Sequence, residues 1–303
     1  FQGALHFVAT GDPDVGDVVW RTDGTAAGTV PVLDIGPGSG VAWITDLVAT
    51  PTKLLVIGST DVSTAGRKLY SGDGSGTAPV PLLDSIWGTT KLHLAPNGSQ
   101  AYLESSLPST GSELFITDGT PGGTGLVGEI TPGPGHSRPG YFVNLGGQTL
   151  FTAYDAALNL GLYATDGTPG GITFLYDLST EPPWLPNLGT EWQGYFYFPV
   201  KTPSGKQVAR TDGTPGGTSI AFDPGSAYAA SYASNMTDFG SSLAMIVYSS
   251  KAHLAFYDGS QLTVLDGDAI VPGFTPNSTA GLLAGSELVF VAKDDLHGYE
   301  LWR

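Results

Sequence analysis

An eight-residue phrase that recurs along the chain constrains its fold more than any other feature. It reads TDGTPGGT at 117–124 and 211–218, TDGTPGGI at 165–172 and TDGTAAGT at 22–29. Copies aligned on the aspartate before glycine follow one another every 45 to 50 residues, and a further copy begins at 299–303. The aligned aspartates are Asp23, Asp73, Asp118, Asp166, Asp212 and Asp258. A period in the mid-forties is that of a four-stranded propeller blade.

One unit of the repeat divides into four strands. RPGYFVNL, TLFTAYD, GLYATD and ITFLYDL are rich in alternating apolar residues, and turn residues separate them. A lone four-stranded sheet cannot cover both of its faces, whereas radially stacked sheets cover one another. We therefore expect an all-β chain in which residues 1–303 form a single β-propeller of four-stranded antiparallel blades.

The number of blades follows from the second strands, of which seven can be counted. The chain starts on a second strand and ends on a third. Seven blades are expected if an upstream pair of strands, a fourth and a first, closes the ring. A six-bladed ring with an overlapping closure is the alternative.

Composition excludes several partners. The formal net charge is −16, which disfavours nucleic acid and anionic membranes, and there is no cysteine for disulfides or thiolate metal sites. No apolar run is long enough to span a bilayer. The opening FQG resembles the end of a tag-protease site, so residues 1–3 are expected to be a tag remnant, although Gly3 also fits the repeat.

Three segments carry a specific resemblance. They read GSELFITDGTPGGT at 111–124, VVWRTDGTAAGT at 18–29 and HGYELW at 297–302. These resemble the signature of the ELWxxDGT-repeat proteins, found mainly on or outside cells of myxobacteria and related Gram-negative bacteria. The resemblance covers essentially the whole chain. It implies a β-propeller and a secreted, periplasmic or outer-surface location, and it carries no established chemistry.

The repeated acids are expected to be structural. In the Asp-Gly turn between the third and fourth strands, Asp accepts hydrogen bonds from amides two residues on and Gly supplies a positive φ. A structural turn is therefore favoured over metal ligation. A second repeated acid ends the fourth strand and is expected to cap the turn that follows; its copies are Asp34, Asp84, Glu129, Asp177, Asp223 and Asp266.

The loops that differ between copies are the expected ligand site. By analogy with other propellers, the loops from strand two to strand three and those that cross between blades share one face. Aromatic and polar side chains on a concave face can stack on a sugar or grip a peptide. The candidate ligand-binding residues are Trp87, His136, Arg138, Trp184, Tyr228, Asp294 and His297.

A ring of polar residues is expected near the ends of the first strands, which line the axis. Oxygen donors round a channel suit Ca²⁺. The alternative is that these groups are solvated by channel water or cap the following turn. The candidate calcium ligands are Asp46, Asn144, Asn187 and Asp238. No other cofactor is expected.

These features favour a non-catalytic extracellular or cell-surface propeller that binds or adheres to a glycan or protein. No G-x-S-x-G, H-E-x-x-H or P-loop motif occurs. Two alternatives remain open: a calcium-dependent, lactonase- or esterase-like hydrolase with an axial metal, and a structural assembly component. The oligomeric state is not predicted.

Overall fold

The computed structural model describes residues 1, 3–10, 16–37, 42–60, 66–84, 86, 91–178, 189–225, 232–248, 251–265, 275–276, 282–284 and 287–303. Twenty-seven β-strands span these residues, and residues 224–225 are helical. No described helix is long and apolar enough to cross a bilayer. The expectation of an all-β chain is confirmed.

The chain divides into two compact units, of which unit 1 comprises residues 1–159 and 165–172. Its first three sheets run β1-β2-β3 (sheet 1), β4-β5-β6-β7 (sheet 2) and β11-β10-β9-β8 (sheet 3). The bounds are β1 Leu5–Thr10, β2 Asp17–Thr22, β3 Val30–Leu33, β4 Trp43–Ala49, β5 Leu54–Ser59, β6 Lys68–Gly72, β7 Val80–Leu83, β8 His93–Leu94, β9 Ala101–Leu107, β10 Gly111–Thr117 and β11 Gly125–Gly128.

The boundary between the units passes through sheet 4, whose order is β12-β13-β14-β15. Its strands are β12 Gly140–Leu145, β13 Gln148–Tyr154, β14 Leu160–Thr165 and β15 Ile172–Asp177.

Unit 2 comprises residues 160–164 and 173–303. It contains sheet 5, β16-β17-β18-β19, and sheet 6, β20-β21-β22-β23. In sheet 7, β24 and β25 both pair with β26, as does β27. The bounds are β16 Thr190–Trp192, β17 Tyr195–Thr202, β18 Gly205–Thr211, β19 Ser219–Phe222, β20 Tyr232–Phe239, β21 Ser242–Tyr248, β22 Ala252–Tyr257, β23 Leu262–Val264, β24 Thr275–Pro276, β25 Leu282–Ala284, β26 Glu287–Asp294 and β27 Gly298–Trp302.

The repeat is reproduced in the register of the third and fourth strands. Sheets 1, 2, 3 and 5 each shift register immediately after the same third-strand position, occupied by Val19, Leu69, Leu114 and Val208. One bulge at a constant place shows that the sequence repeat is also a structural repeat. Sheet 1 holds strands two to four of a unit, and sheet 7 holds one to three, as the sequence predicts.

Neighbouring sheets of unit 1 share their cores. Val19 and Leu33 of sheet 1 cluster with Leu54, Val56 and Tyr70 of sheet 2. Tyr70 is the aromatic residue of the third strand of sheet 2, and it is buried at this junction. Complete burial of one such apolar side chain contributes about 1.5–3 kcal/mol. Stability in this unit therefore lies largely at the junctions between sheets.

Candidate functional site

The repeated phrase folds as a closed hydrogen-bonded turn between the third and fourth strands. In the copy at 117–124, Oδ1 of Asp118 accepts hydrogen bonds from the amide and the hydroxyl of Thr120, at 2.8 and 2.7 Å. Thr120 Oγ1 in turn accepts from the Gly123 amide at 3.0 Å, and Gly119 has a φ of 86°. The Asp118 carboxylate therefore accepts hydrogen bonds from within its own turn, as the sequence predicts.

The last glycine of the phrase makes room for the aspartate. A Cβ atom at Gly123 would overlap the Asp118 carboxylate, and the corresponding glycine of three other copies stands in the same relation to its own aspartate. Those pairs are Gly28 with Asp23, Gly171 with Asp166 and Gly217 with Asp212. The altered copies keep the bonds through serine, since Ser75 donates to Asp73 and Ser260 to Asp258. Recurrence of the phrase thus reflects turn geometry.

The acid that ends the fourth strand also caps a turn in three described copies. Asp34 accepts from the Gly36 amide at 2.8 Å, Glu129 from Gly133 at 2.9 Å, and Asp223 from Gly225 at 2.8 Å. The expected capping role is confirmed at these positions.

A crossing segment, residues 129–140, leaves sheet 3 and is anchored by a buried carboxylate. Glu113 on β10 has no exposed surface. Its Oε2 accepts from the Ile130 amide at 3.0 Å and from the Ser137 hydroxyl at 2.7 Å, and its Oε1 accepts from the Thr131 amide at 3.0 Å. Burial raises the pKa of Glu113, and the three donors, Ser137 first, oppose that rise. Glu113 therefore fixes the segment at two points.

The crossing segment presents two predicted ligand residues to solvent. His136 and Arg138 are exposed and flank the fully buried Ser137, whose amide donates to the Ser112 carbonyl at 2.9 Å. The Ser112 amide lies 3.0 Å from His136 Nδ1, which must therefore be the unprotonated, accepting nitrogen. The Nε2–H of His136 and the Arg138 guanidinium are then donors on a fixed backbone. Such donors suit carbonyl and carboxylate oxygens.

Serine hydroxyls near this histidine are engaged elsewhere. Ser112 Oγ donates to the buried Glu104, and Ser137 Oγ donates to Glu113 and lies 3.1 Å from the Ser112 carbonyl. Nucleophilic catalysis needs a hydroxyl hydrogen-bonded to a base. Between these described serines and His136 no such pair is formed.

The predicted calcium ligands of unit 1 connect first strands. Asp46 accepts from the Leu92 amide at 2.6 Å. Asn144 Oδ1 accepts a hydrogen bond from His93 Nε2 at 2.9 Å, and the side-chain nitrogen Nδ2 of Asn144 donates to the Leu94 carbonyl at 3.0 Å. Each bond joins one sheet to the next. Calcium binding here stays a prediction, and the described residues contain no group of three or more His, Asp or Glu side chains placed to hold a metal.

The other predicted site residues do not belong to the crossing segment or to the first strands of unit 1, or they lie outside the part of the chain that the structure describes. In unit 2, Asp238 caps the turn at Gly240, with a distance of 2.8 Å. Asp294 is buried and holds its loop through the amides of Leu296 and His297, and its Oδ2 lies 2.9 Å from His297 Nδ1. The predicted residues that lie outside the described ranges are Trp87, Trp184, Asn187 and Tyr228.

Sequence reasoning missed Glu113 and Ser137. Glu113 is the glutamate of the ELW signature, and a charged residue inside an otherwise apolar strand was the available signal. Lys68 takes the same place in sheet 2 and pairs with Asp84 at 2.8 Å, and Gln207 takes it in sheet 5 and lies 3.4 Å from Asp223. This position ties the third strand to the end of the fourth.

Comparison with known proteins yields fold relatives only among solved structures. No protein-family model matches the chain, and no curated protein matches it. Prolyl oligopeptidase B from Galerina marginata, as the apo protein, matches with a TM-score of 0.52 at 11% identity, over 100% of this chain and 49% of that one. The same enzyme bound to a 35-residue hydrolysis and macrocyclization substrate matches with a TM-score of 0.50 at 12% identity and equal coverage. A puromycin hydrolase matches with a TM-score of 0.45 at 17% identity, over 94% of this chain and 47% of its own.

At these identities the likeness shows the fold, which is that of a β-propeller domain. The chain spans about half the length of these proteins. Prolyl oligopeptidase B is a peptidase, and this finding corrects the expectation of a non-catalytic binding or adhesion propeller, together with its two alternatives. The expectation rested on the repeat architecture, on the varied loops of one face and on the lack of catalytic motifs in the sequence.

Proposed function

We propose that this chain is the peptide-handling part of a peptidase. In this role the chain binds and orients a peptide. The peptide bond is broken by other residues of the peptidase, outside the part that the structure describes. The observation that carries the proposal is the anchored crossing segment, which holds the donors of His136 and Arg138 at the surface. The fold likeness to a peptidase bound to a 35-residue peptide substrate supports it.

Arg138 is the residue on which the proposed peptide binding depends most. Its φ is 48°, a backbone conformation that costs a non-glycine residue about 1–2 kcal/mol. A buried Ser137 before it and a buried Pro139 after it hold that conformation. Retaining a long charged side chain at a strained, exposed position is consistent with a binding role. A guanidinium can grip the two oxygens of a peptide carboxylate at once.

The finer architecture is part of the proposal. We assign the seven sheets to seven blades, because the strands missing from sheets 1 and 7 are the first and the fourth of the repeat unit. The resemblance to ELWxxDGT-repeat proteins supports a location outside the cytoplasm of a Gram-negative bacterium. An experimental structure with six blades would overturn this assignment.

Peptide binding tests the function directly. A fluorescent 35-residue proline-containing peptide is titrated with the chain, in forms with a free and an amidated C-terminus. We expect saturable binding, weakened about tenfold or more by Arg138→Ala, since a hydrogen bond to a charged group contributes about 1.5–3 kcal/mol. The matched control is Arg303→Ala, which removes the same charge at a place 77% exposed. No binding, or equal effects of the two variants, would contradict the proposal.

A further inference from the structure

The end of β13 is tied to the crossing segment at the residue that separates the two exposed donors. The Tyr154 amide donates to the Ser137 carbonyl at 2.7 Å, and the Tyr154 carbonyl accepts from the Thr131 hydroxyl at 3.0 Å. His136 and Arg138 flank Ser137 in the sequence. The loop that follows Tyr154 therefore lies beside the backbone that carries both donors, and all of these residues belong to unit 1.

This loop, residues 155–159, is closed by the side chain of its first residue. Asp155 Oδ1 accepts from the amides of Ala157 and Asn159 at 2.8 and 2.9 Å, and Asp155 Oδ2 accepts from Asn159 Nδ2 at 3.1 Å. The Leu158 amide donates to the Asp155 carbonyl, and the Asp155 amide donates to the Asn159 carbonyl, both at 2.9 Å. Both oxygens of the carboxylate are thus engaged inside the loop, and the loop is held in one conformation.

The tip of this loop is a leucine in an unfavourable backbone conformation. Leu158 is 76% exposed and has a φ of 64°, which is an outlier for a bulky residue. In four other loops between a second and a third strand, the residue with positive φ is a glycine; these are Gly16, Gly111, Gly205 and Gly298. A strained and exposed apolar side chain at this point is consistent with contact to a ligand.

Charge near Leu158 favours a ligand with a carboxylate. Arg138 forms no ion pair with any carboxylate in the part of the chain that the structure describes. The neighbouring acids are already engaged, Asp155 inside its loop and Glu113 with the crossing segment. An unpaired guanidinium beside an exposed leucine is complementary to a group that carries a carboxylate next to an apolar side chain.

We infer that Leu158 forms an apolar subsite for the last residue of a bound peptide, while Arg138 holds the C-terminal carboxylate of that residue. The inference rests on the proposed peptide-binding function and names the class of ligand: peptides with a free C-terminus and an aliphatic last residue. A polar last residue makes only the contact with Arg138. An amidated aliphatic one makes only the contact with Leu158.

Two forms of the fluorescent 35-residue peptide test the subsite. They differ only in the last residue, which is leucine or serine, and both have a free C-terminus. The wild-type chain should bind the leucine form about tenfold more tightly, because the leucine side chain leaves water on binding. Leu158→Asn introduces a polar residue that tolerates a positive φ, so it should remove this preference and leave the affinity for the serine form unchanged. Leu158→Met should retain the preference.

The matched control is Leu296→Asn, which should keep the preference for the leucine form. Leu296 is 79% exposed in the corresponding loop of sheet 7, where its amide donates to Asp294 at 2.9 Å. Equal affinity of the wild-type chain for the two peptides, with binding still weakened by Arg138→Ala, would overturn this inference alone. Equal effects of the two asparagine variants would overturn it as well. Binding of neither peptide would overturn it together with the proposed function.

Discussion

Ser137 donates a 2.7 Å hydrogen bond to Glu113, and both side chains are wholly removed from solvent. Ser137→Ala would leave a buried carboxylate with one donor fewer, and such a loss costs about 1–3 kcal/mol. We expect a lower midpoint of urea unfolding. Ser99→Ala, in an exposed turn, is the control and should change the midpoint little. Equal midpoints for the two variants would contradict the anchoring role of Glu113.

The glycine pair of the phrase TDGTPGGT offers a second test. Gly123→Ala would press a methyl group against the Asp118 carboxylate, while an added Cβ at Gly122 meets nothing within 4 Å. Overpacking of this kind costs about 1–3 kcal/mol. Thermal unfolding should therefore show a lower Tm for Gly123→Ala and an unchanged or higher one for Gly122→Ala. Equal loss in both variants would mean that the turn does not depend on this contact.

The link between His93 and Asn144 predicts a pH effect. Burial lowers the pKa of His93 below its ordinary 6.5, against the opposing effect of the hydrogen bond that His93 donates to Asn144. The folded state therefore favours the neutral ring. This contribution to stability is present above pH 6.5 and is lost as pH falls from there through the lowered pKa.

Asn144→Asp places a carboxylate beside the imidazole and should raise the pKa of His93. Titration of the His93 ring proton by NMR measures this shift. Asn97→Asp adds the same charge in an exposed turn and should leave the pKa of His93 in place. An unchanged pKa in Asn144→Asp would show that the two side chains are not in contact in solution.

The Asp294–His297 pair predicts the opposite direction. Its hydrogen bond raises the pKa of His297 above 6.5 and lowers that of Asp294 below 3.8. The contribution of the histidine is complete below pH 6.5 and is lost as pH rises through its raised pKa. That of the aspartate is present above pH 3.8 and is lost as pH falls through its lowered pKa. NMR titration should show the pKa of His297 returning toward 6.5 in Asp294→Asn, and a pKa that stays raised would contradict the pairing.

Local features of the fold were predictable because turn chemistry and strand periodicity act over a few residues. Such short-range rules account for the aspartate-glycine turns, for the second strands and for the turn-capping role of Asp34 and Asp223. Contacts between distant residues were not predictable in this way. Glu113 and Ser137 are 24 residues apart in the sequence. They form a hydrogen bond only because β10 and the crossing segment fold together.

The site shows the same limit. The sequence predicts His136 and Arg138 as ligand residues because they differ from the repeat, and the structure gives them a common support that the sequence does not reveal. The predicted calcium ligands share a repeat position, yet Asp46 and Asn144 point to hydrogen-bonding partners on the next or preceding sheet. The function of the chain was the least predictable feature. The absence of a catalytic motif describes only the part of a protein that has been searched for it.

Hydrogen–deuterium exchange with and without the 35-residue proline-containing peptide tests the central claim most directly. We predict slower exchange on peptide addition at the amides of residues 133–138, together with unchanged exchange in the turn at 117–124. Arg138→Ala should abolish most of this protection. Protection that appears elsewhere and spares the crossing segment, or none under saturating peptide, would contradict the account.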